Sequence, residues 1–341
     1  MVKKLRYDRP FELECGDTLP SIEIAYHTFG TLNARKDNCI WVCHALTANS
    51  DVADWWPHTV EKDSFLDPDK YFIVCANILG SCYGTTGPLS VNETTGSPWY
   101  DSFPRITIRD VVKAHKILAD YLGIEKLFAL IGASVGGFQA LEWAATYPED
   151  VNSLVLIATE AKASPWAVAL DETQRMAIFA DKSYGEPRSD AAADGLAAAR
   201  AIGLLSYRGA SGYNASQQNL EGFDPLKQLH RAQTYQRYQG EKLVKRFDVY
   251  SYVTILNMFD THDIGRGRGG VEKVLSDFRM PVLVVGISTD IIFTPEYMRW
   301  LTGAIPGANY QEIDSPFGHD GFLVEHALLN EIIKGFFKKI H

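Results

Sequence analysis

Residues Gly132-Ala133-Ser134-Val135-Gly136 stand between an apolar run, 126–131, and a helix-like run, 138–147. That placement constrains the fold more than any other feature. A turn that sends a strand straight into a helix strains its central residue, and only glycine-sized neighbours let the two elements approach so closely. The turn holds the serine hydroxyl out at the edge of a sheet, beside the first free amides of a helix. There an acyl carbon can be attacked and its oxyanion held. The bare pentapeptide also fits a glycine-rich turn in an unrelated protein. The strand before it, the helix after it and a third glycine, Gly137, make it a nucleophile elbow.

The chain around the elbow alternates between strand and helix patterns. Runs 39–44, 71–76 and 151–158 are short, apolar and rich in β-branched or aromatic residues, as buried strands should be. Runs 11–15 and 22–28 alternate like antiparallel strands. Residues 106–122 read as a helix. Thr107 and Asp110 are spaced for a capping box, and Ile108, Val111, Val112 and Leu118 share one side. This alternation predicts a mostly parallel sheet covered by helices on both faces. It stops at 163, where helical runs follow at 166–181, 191–205, 225–237 and 242–258. Sheet patterning returns at 281–287 and 308–313, with a closing helix at 321–338. The expected organisation is a core of residues 1–162 and 274–341, with 163–273 inserted as a helical lid over the site.

Composition excludes some functions. The formal net charge is −9 over 341 residues, which argues against a nucleic-acid binder. No apolar run approaches the roughly 20 residues that span a bilayer, and residues 1–8 are basic without the apolar stretch of an export signal. The cysteines number five, an odd count that fits reduced thiols and a cytoplasmic protein. Cys39 and Cys43 would lie about 13 Å apart along one strand, too far for a disulfide or a shared metal. No metal-ligand pattern appears and no Gly-x-Gly-x-x-Gly follows the first strands, so no bound cofactor is expected.

A serine nucleophile needs a base, and the base needs an acid to hold its tautomer. In the α/β-hydrolase architecture, to which such elbows belong, the chain order is Ser, Asp or Glu, then His. His319 follows the last strand in Ser315-Pro316-Phe317-Gly318-His319-Asp320-Gly321, where the base belongs. His326 reads as a helix-surface residue, and His230 and His262 as structural or substrate-facing. Asp290 follows the 281–287 strand, at the sheet edge where catalytic groups gather. It could instead cap the next helix, but Thr294 ahead of Pro295 fits that task better. The backbone amides of Val135 and of Leu46, in the loop after 39–44, are the expected oxyanion donors. His44 reads as a loop-orienting residue.

Further segments carry a resemblance. Ala25-Tyr26-His27-Thr28-Phe29-Gly30, Cys43-His44-Ala45-Leu46-Thr47, the run from Asn77 to Pro88, Ser206-Tyr207-Arg208, Tyr238-Gln239-Gly240-Glu241-Lys242, Arg246-Phe247-Asp248 and Gly318-His319-Asp320-Gly321-Phe322-Leu323 resemble the homoserine O-acetyltransferases of the α/β-hydrolase superfamily. The resemblance covers essentially the whole chain. It implies a ping-pong reaction: Ser134, helped by His319 and Asp290, takes an acetyl group from acetyl-CoA and passes it to the side-chain hydroxyl of L-homoserine. It implies that Arg208 clamps the acceptor's carboxylate and Asp320 pairs with its ammonium. The other readings are a lid-surface salt bridge for Arg208 and a helix cap for Asp320. The family also implies a homodimer through the lids. Arg231, Arg237, Lys242, Lys245 and Arg246 are candidate partners for the CoA phosphates, as are Arg266 and Arg268, and none is assigned. The elbow departs from the family's usual Gly-Gly-Ser-Met-Gly-Gly-Met at Ala133, Val135 and Phe138. Ala48-Asn49 and Val249-Tyr250 also depart. A succinyl donor, a serine acceptor, and water as acceptor in an esterase remain the alternatives.

Overall fold

Strands that read as unbroken apolar runs are buried on both faces. The computed structural model, which describes residues 1–340, contains one sheet of eight strands. They are β1 (Lys3–Tyr7), β2 (Ile22–Phe29), β3 (Cys39–Cys43), β4 (Phe72–Ala76), β5 (Ala129–Ala133), β6 (Leu154–Ile157), β7 (Val282–Ile287) and β8 (Asn309–Ile313). Their spatial order is β1-β2-β4-β3-β5-β6-β7-β8. The β1–β2 and β2–β4 pairs are antiparallel, and the remaining pairs are parallel. Side chains alternate between two cores, as the pleat requires. Trp41, Leu130, Leu156 and Val284 pack on one face, with helices α1 (Ile108–Tyr121) and α2 (Val135–Thr146). Ile40, Val42, Ile131 and Val285 pack on the other, against Leu329, Ile333 and Phe337 of the C-terminal helix His326–Ile340.

Between β6 and β7 the chain forms the helices α3 (Pro165–Phe179), α4 (Ala193–Tyr207), α5 (Ala210–Ser216), α6 (Arg231–Val244) and α7 (Val249–Asp260). The two ends of this segment meet. Lys162 and Asp263 form a β-bridge, and the Ala163 amide donates to the His262 carbonyl at 2.9 Å. Helix α8 (Pro295–Ala304) follows β7, with the Thr294 hydroxyl accepting from the Tyr297 amide at its N-terminus.

Several expected boundaries move. The 11–15 strand shrinks to Phe11–Glu12 and pairs with Thr18–Leu19 outside the main sheet. Residues 225–230 are not helical. The 242–258 helix is two helices, because Asp248 accepts from the Ser251 amide and starts α7 afresh. The closing helix breaks at Glu325. Strand β1 was not expected from the sequence at all. Its core-side residues alternate with Lys4 and Arg6, and Lys4 pairs across to Glu23 at 2.6 Å. Charge on an edge strand guards it against pairing with another chain.

Candidate active site

The elbow geometry follows from what its residues lack. Ser134 sits at φ +57°, ψ −130°, a conformation that side-chain-bearing residues avoid. A Cβ on Gly132 would stand 2.2 Å from the Gly136 carbonyl oxygen, and one on Gly136 would stand 2.1 Å from that of Cys43. A Cβ on Gly137 would meet the Thr159 side chain at 2.3 Å. Hydrogen bonds hold the strained residue: its amide donates to the Ile157 carbonyl at 3.0 Å, and the Thr159 hydroxyl donates to its carbonyl at 2.8 Å. Helix α2 starts at the next residue, Val135.

Asp290 and His319 come from the loops after β7 and β8, at the same sheet edge. The His319 ring is joined at Nδ1 to Asp290 Oδ2 at 2.7 Å. The other carboxylate oxygen, Oδ1, accepts the amides of Ile292 at 2.8 Å and Phe293 at 3.1 Å. Asp290 is thus aimed by its own loop, while Thr294 caps the helix. A network that the sequence reading missed ties the two loops together. The Ser288 hydroxyl donates to Asp314 at 2.9 Å, and the Thr289 hydroxyl donates to the Ser315 carbonyl at 2.6 Å and accepts the Gly318 amide at 2.9 Å. Burial opposes charge on His319, but the charge and hydrogen bond of Asp290 outweigh it and hold the imidazole above its ordinary pKa. Bound at Nδ1, the ring leaves Nε2 for proton transfer.

Ser134, His319 and Leu46 line one cavity of about 610 Å³, walled on its other side by α3, α4 and the α6–α7 junction. Ser134 and His319 share this wall without a direct hydrogen bond between them. The loop after β3 that carries Leu46 is pinned from beneath. Asn77 accepts the Ser50 amide at 2.7 Å and donates to the Tyr83 carbonyl at 2.8 Å. His44 is buried, is bonded at Nδ1 to the Ala45 carbonyl at 2.9 Å and accepts the Ile78 amide at 3.1 Å. Burial pushes it down to about 4, so it is a neutral loop tie, as expected. Arg246 pins the loop from above, reaching the Thr47 carbonyl and the Tyr83 hydroxyl, each at 2.5 Å.

Arg208 and Asp320 meet. Arg208 Nε lies 3.1 Å from Asp320 Oδ2, and its Nη2 donates to the Tyr235 hydroxyl at 3.3 Å. Asp320 lines the cavity and Arg208 does not. Burial raises the Asp320 carboxyl, opposed first by Arg208 and then by His319. His262 is structural: it stacks on Phe138 at 4.0 Å and is bonded to the Glu160 carbonyl at 3.0 Å. Phe138 is fully buried behind Phe259 and Phe293, two cavity-wall residues. Among the described residues no cluster of side chains is arranged to hold a metal, and no helix is long and apolar enough to cross a membrane.

A family model described as the alpha/beta hydrolase fold matches residues 39–326. Homoserine O-acetyltransferase from Cyclobacterium marinum is 45% identical over 325 residues, covering 95% of this chain and 92% of its own. The protein of the same name from Moorella thermoacetica is 44% identical, covering 96% and 93%. Among solved structures, homoserine O-acetyltransferase from Staphylococcus aureus superposes with a TM-score of 0.81 at 27% identity, over 100% of this chain and 95% of that one. Esterase E22 superposes with a TM-score of 0.88 at 24% identity, over 99% and 100%, a likeness of fold. The elbow, the acid–base pair and this full-length similarity to acyltransferases agree: the chain belongs to the homoserine O-acetyltransferase family of α/β-hydrolase-fold enzymes.

Proposed function

We propose that this protein transfers an acetyl group from acetyl-CoA to the side-chain hydroxyl of L-homoserine, a step toward methionine, by a ping-pong mechanism. The observation that carries this reading is the covered cavity in which the elbow serine and the Asp290-bound imidazole share a wall with Asp320. His319 Nε2 takes the proton of Ser134 Oγ as that oxygen attacks the thioester carbonyl. The Leu46 and Val135 amides receive the oxyanion. When the carbon–sulfur bond breaks, the imidazolium returns the proton to the departing CoA sulfur. The acetyl group stays on Ser134. The homoserine hydroxyl then gives its proton to His319, attacks the acetyl carbonyl and leaves as the ester, and Ser134 recovers its proton. Asp290 stabilises the imidazolium in both halves. Arg208 and Asp320 hold the amino-acid end of the acceptor. The lid keeps water from the acetyl-enzyme. Acetyl-CoA is a substrate, and the reaction needs no resident cofactor or metal.

The proposed setting is the cytoplasm, with the protein a homodimer through the lid, where Leu220 and Leu226 are 77% and 94% exposed. The discriminating experiment is CoA-thiol release from acetyl-CoA with and without L-homoserine. Release that depends on homoserine is expected. Release indifferent to homoserine would mean hydrolysis, and none would remove acetyl-CoA as donor. Succinyl-CoA and L-serine in the same assay test the alternatives. Ser134→Ala should abolish the acetyl adduct seen by intact mass, and a surviving adduct would mean another nucleophile.

A further inference from the structure

The cavity lining that includes Ser134 also carries two phenylalanines, Phe259 near the end of α7 and Phe293 in the loop after β7. Both meet one further ring, Phe138, with centroids 4.6 and 5.9 Å away, so the two form one apolar stretch of wall. The Phe293 ring also lies 5.3 Å from the His319 ring, which puts this stretch beside the base. An acyl group on Ser134 turns its carbonyl oxygen toward the oxyanion amides. Its hydrocarbon end carries no polar atom and is best placed on apolar wall.

Phe138 does not line the cavity. It stands behind that wall, in the same helix α2 that starts at the residue after Ser134, and it has no room to retreat. The ring of His262 lies face to face with it, the centroids 4.0 Å and the planes 8° apart. His262 is itself fixed. Its Nε2 is bonded to the Glu160 carbonyl at 3.0 Å, and its backbone carbonyl accepts the Ala163 amide at 2.9 Å. Burial pushes His262 down to about 3, so the imidazole is neutral and packs as a flat ring. A close-packed interior does not yield the width of a methylene without cost. A wall backed in this way has a fixed depth.

We infer, resting on the acyl transfer proposed above, that Phe138 is a positioning residue for donor specificity: wedged against His262, it holds Phe259 and Phe293 forward in the cavity, so that an acetyl group fits on Ser134 and a longer acyl chain does not. A longer acyl-CoA would react by the same step. The carbon–sulfur bond breaks, CoA leaves as the thiol and the acyl carbon bonds to Ser134 Oγ, so only the fit of the chain differs.

The test compares acetyl-CoA with butyryl-CoA, whose chain is longer, by CoA-thiol release with L-homoserine as acceptor. The wild type should favour acetyl-CoA by about 100-fold or more in kcat/KM. In Phe138→Leu the wall rings can sink back, and the butyryl-to-acetyl ratio should rise about tenfold or more, while KM for homoserine stays within about twofold. A merely structural loss would lower both thioesters alike and leave the ratio unmoved. Phe259→Leu, which shortens the wall itself, should move the ratio in the same direction. If Phe138→Leu does not fold, Phe138→Met, close in volume but flexible, takes its place with the same expected direction. An unchanged ratio in the Phe138 variant overturns the assignment, whether or not Phe259→Leu moves it, and so does a wild type indifferent to chain length. Wild-type release from neither thioester overturns the acyl transfer and this role with it, whereas normal acetyl transfer with an unchanged ratio overturns this role alone.

Discussion

Asp290 makes three contacts, two with amides of its own loop and one with His319. Asn at this position keeps the size and can keep the amide contacts, but it removes the charge that stabilises the imidazolium. Asp290→Asn should lower kcat by about 10³- to 10⁴-fold. The pH profile carries a second signature. A base must be neutral to accept a proton, so kcat/KM of the wild type should fall as pH drops through a value above the ordinary imidazole pKa of 6.5. In Asp290→Asn that acid limb should move to lower pH, because burial remains and only the smaller effect of the Asp320 charge still opposes it. The stability linkage has the complementary sign. The raised His319 contributes stability that is full below its unfolded pKa and lost as pH rises through the folded one. An unmoved acid limb in the variant would assign it to another group. Chain order and loop position single out Ser134, Asp290 and His319 as candidates, and the structure bonds His319 to Asp290 and sets it in one cavity wall with Ser134. Ser288, Thr289 and Asn77 were not legible, since an isolated hydroxyl or amide in a loop carries no periodic or spacing signal.

Helix α2 is tied to its surroundings by a buried charge. Glu142 is 1% exposed. Arg268 grips it with both terminal nitrogens, at 2.6 and 3.0 Å, the Thr146 hydroxyl donates to it at 2.9 Å, and Arg109 of α1 stands 3.4 Å away. This joins the elbow helix to α1 and to the segment that returns from the lid. Arg268→Met should cost up to about 3 kcal/mol, because it leaves the buried carboxylate only the Thr146 hydroxyl and the more distant Arg109. Adding Glu142→Gln should recover part of the loss, and urea unfolding of the three proteins checks both statements. A cheaper break lies in the same first turn of α1, one residue from Arg109. Asp110 accepts the Thr107 amide at 2.8 Å and the Glu14 amide at 2.8 Å, so Asp110→Ala should cost about 2 kcal/mol. It should leave kcat intact, since Asp110 is outside the cavity lining. The capping box was legible because Thr107 and Asp110 are local partners. The lid boundaries were less so: polar, glutamine-rich stretches keep a helical composition through residues 225–230 that do not form helix. Strand β1 escaped because its charged residues mask a two-residue alternation only five residues long.

At the scale of the whole molecule the fold does not decide the acceptor. An esterase superposes over nearly the full chain with a TM-score of 0.88, so the choice between water and an amino-acid hydroxyl must come from side chains on this shared fold, and the contacts between the 163–273 segment and the core are one place to test it. Two of the points where they meet touch loops of the candidate site. Arg246, between α6 and α7, holds the Thr47 carbonyl and the Tyr83 hydroxyl. Gly209, between α4 and α5, lies so close to the His319 loop that a Cβ on it would stand 2.2 Å from the Pro316 carbonyl oxygen. The first contact fixes the loop that carries Leu46, and the second fixes the loop that carries the base. If the proposed acyl transfer holds, loosening the first should admit water to the acetyl-enzyme while leaving Ser134, Asp290 and His319 in place. In Arg246→Ala, homoserine-independent CoA release should therefore rise several-fold relative to homoserine-dependent release, as expected when a lid that excludes water is loosened. Tyr83→Phe keeps the ring and removes one of the two partners, so it should shift the same ratio in the same direction and by less. Measuring both rates on one enzyme preparation makes the ratio independent of the active fraction. A ratio unchanged in both variants, with total release merely lower, would show that water exclusion does not depend on this contact.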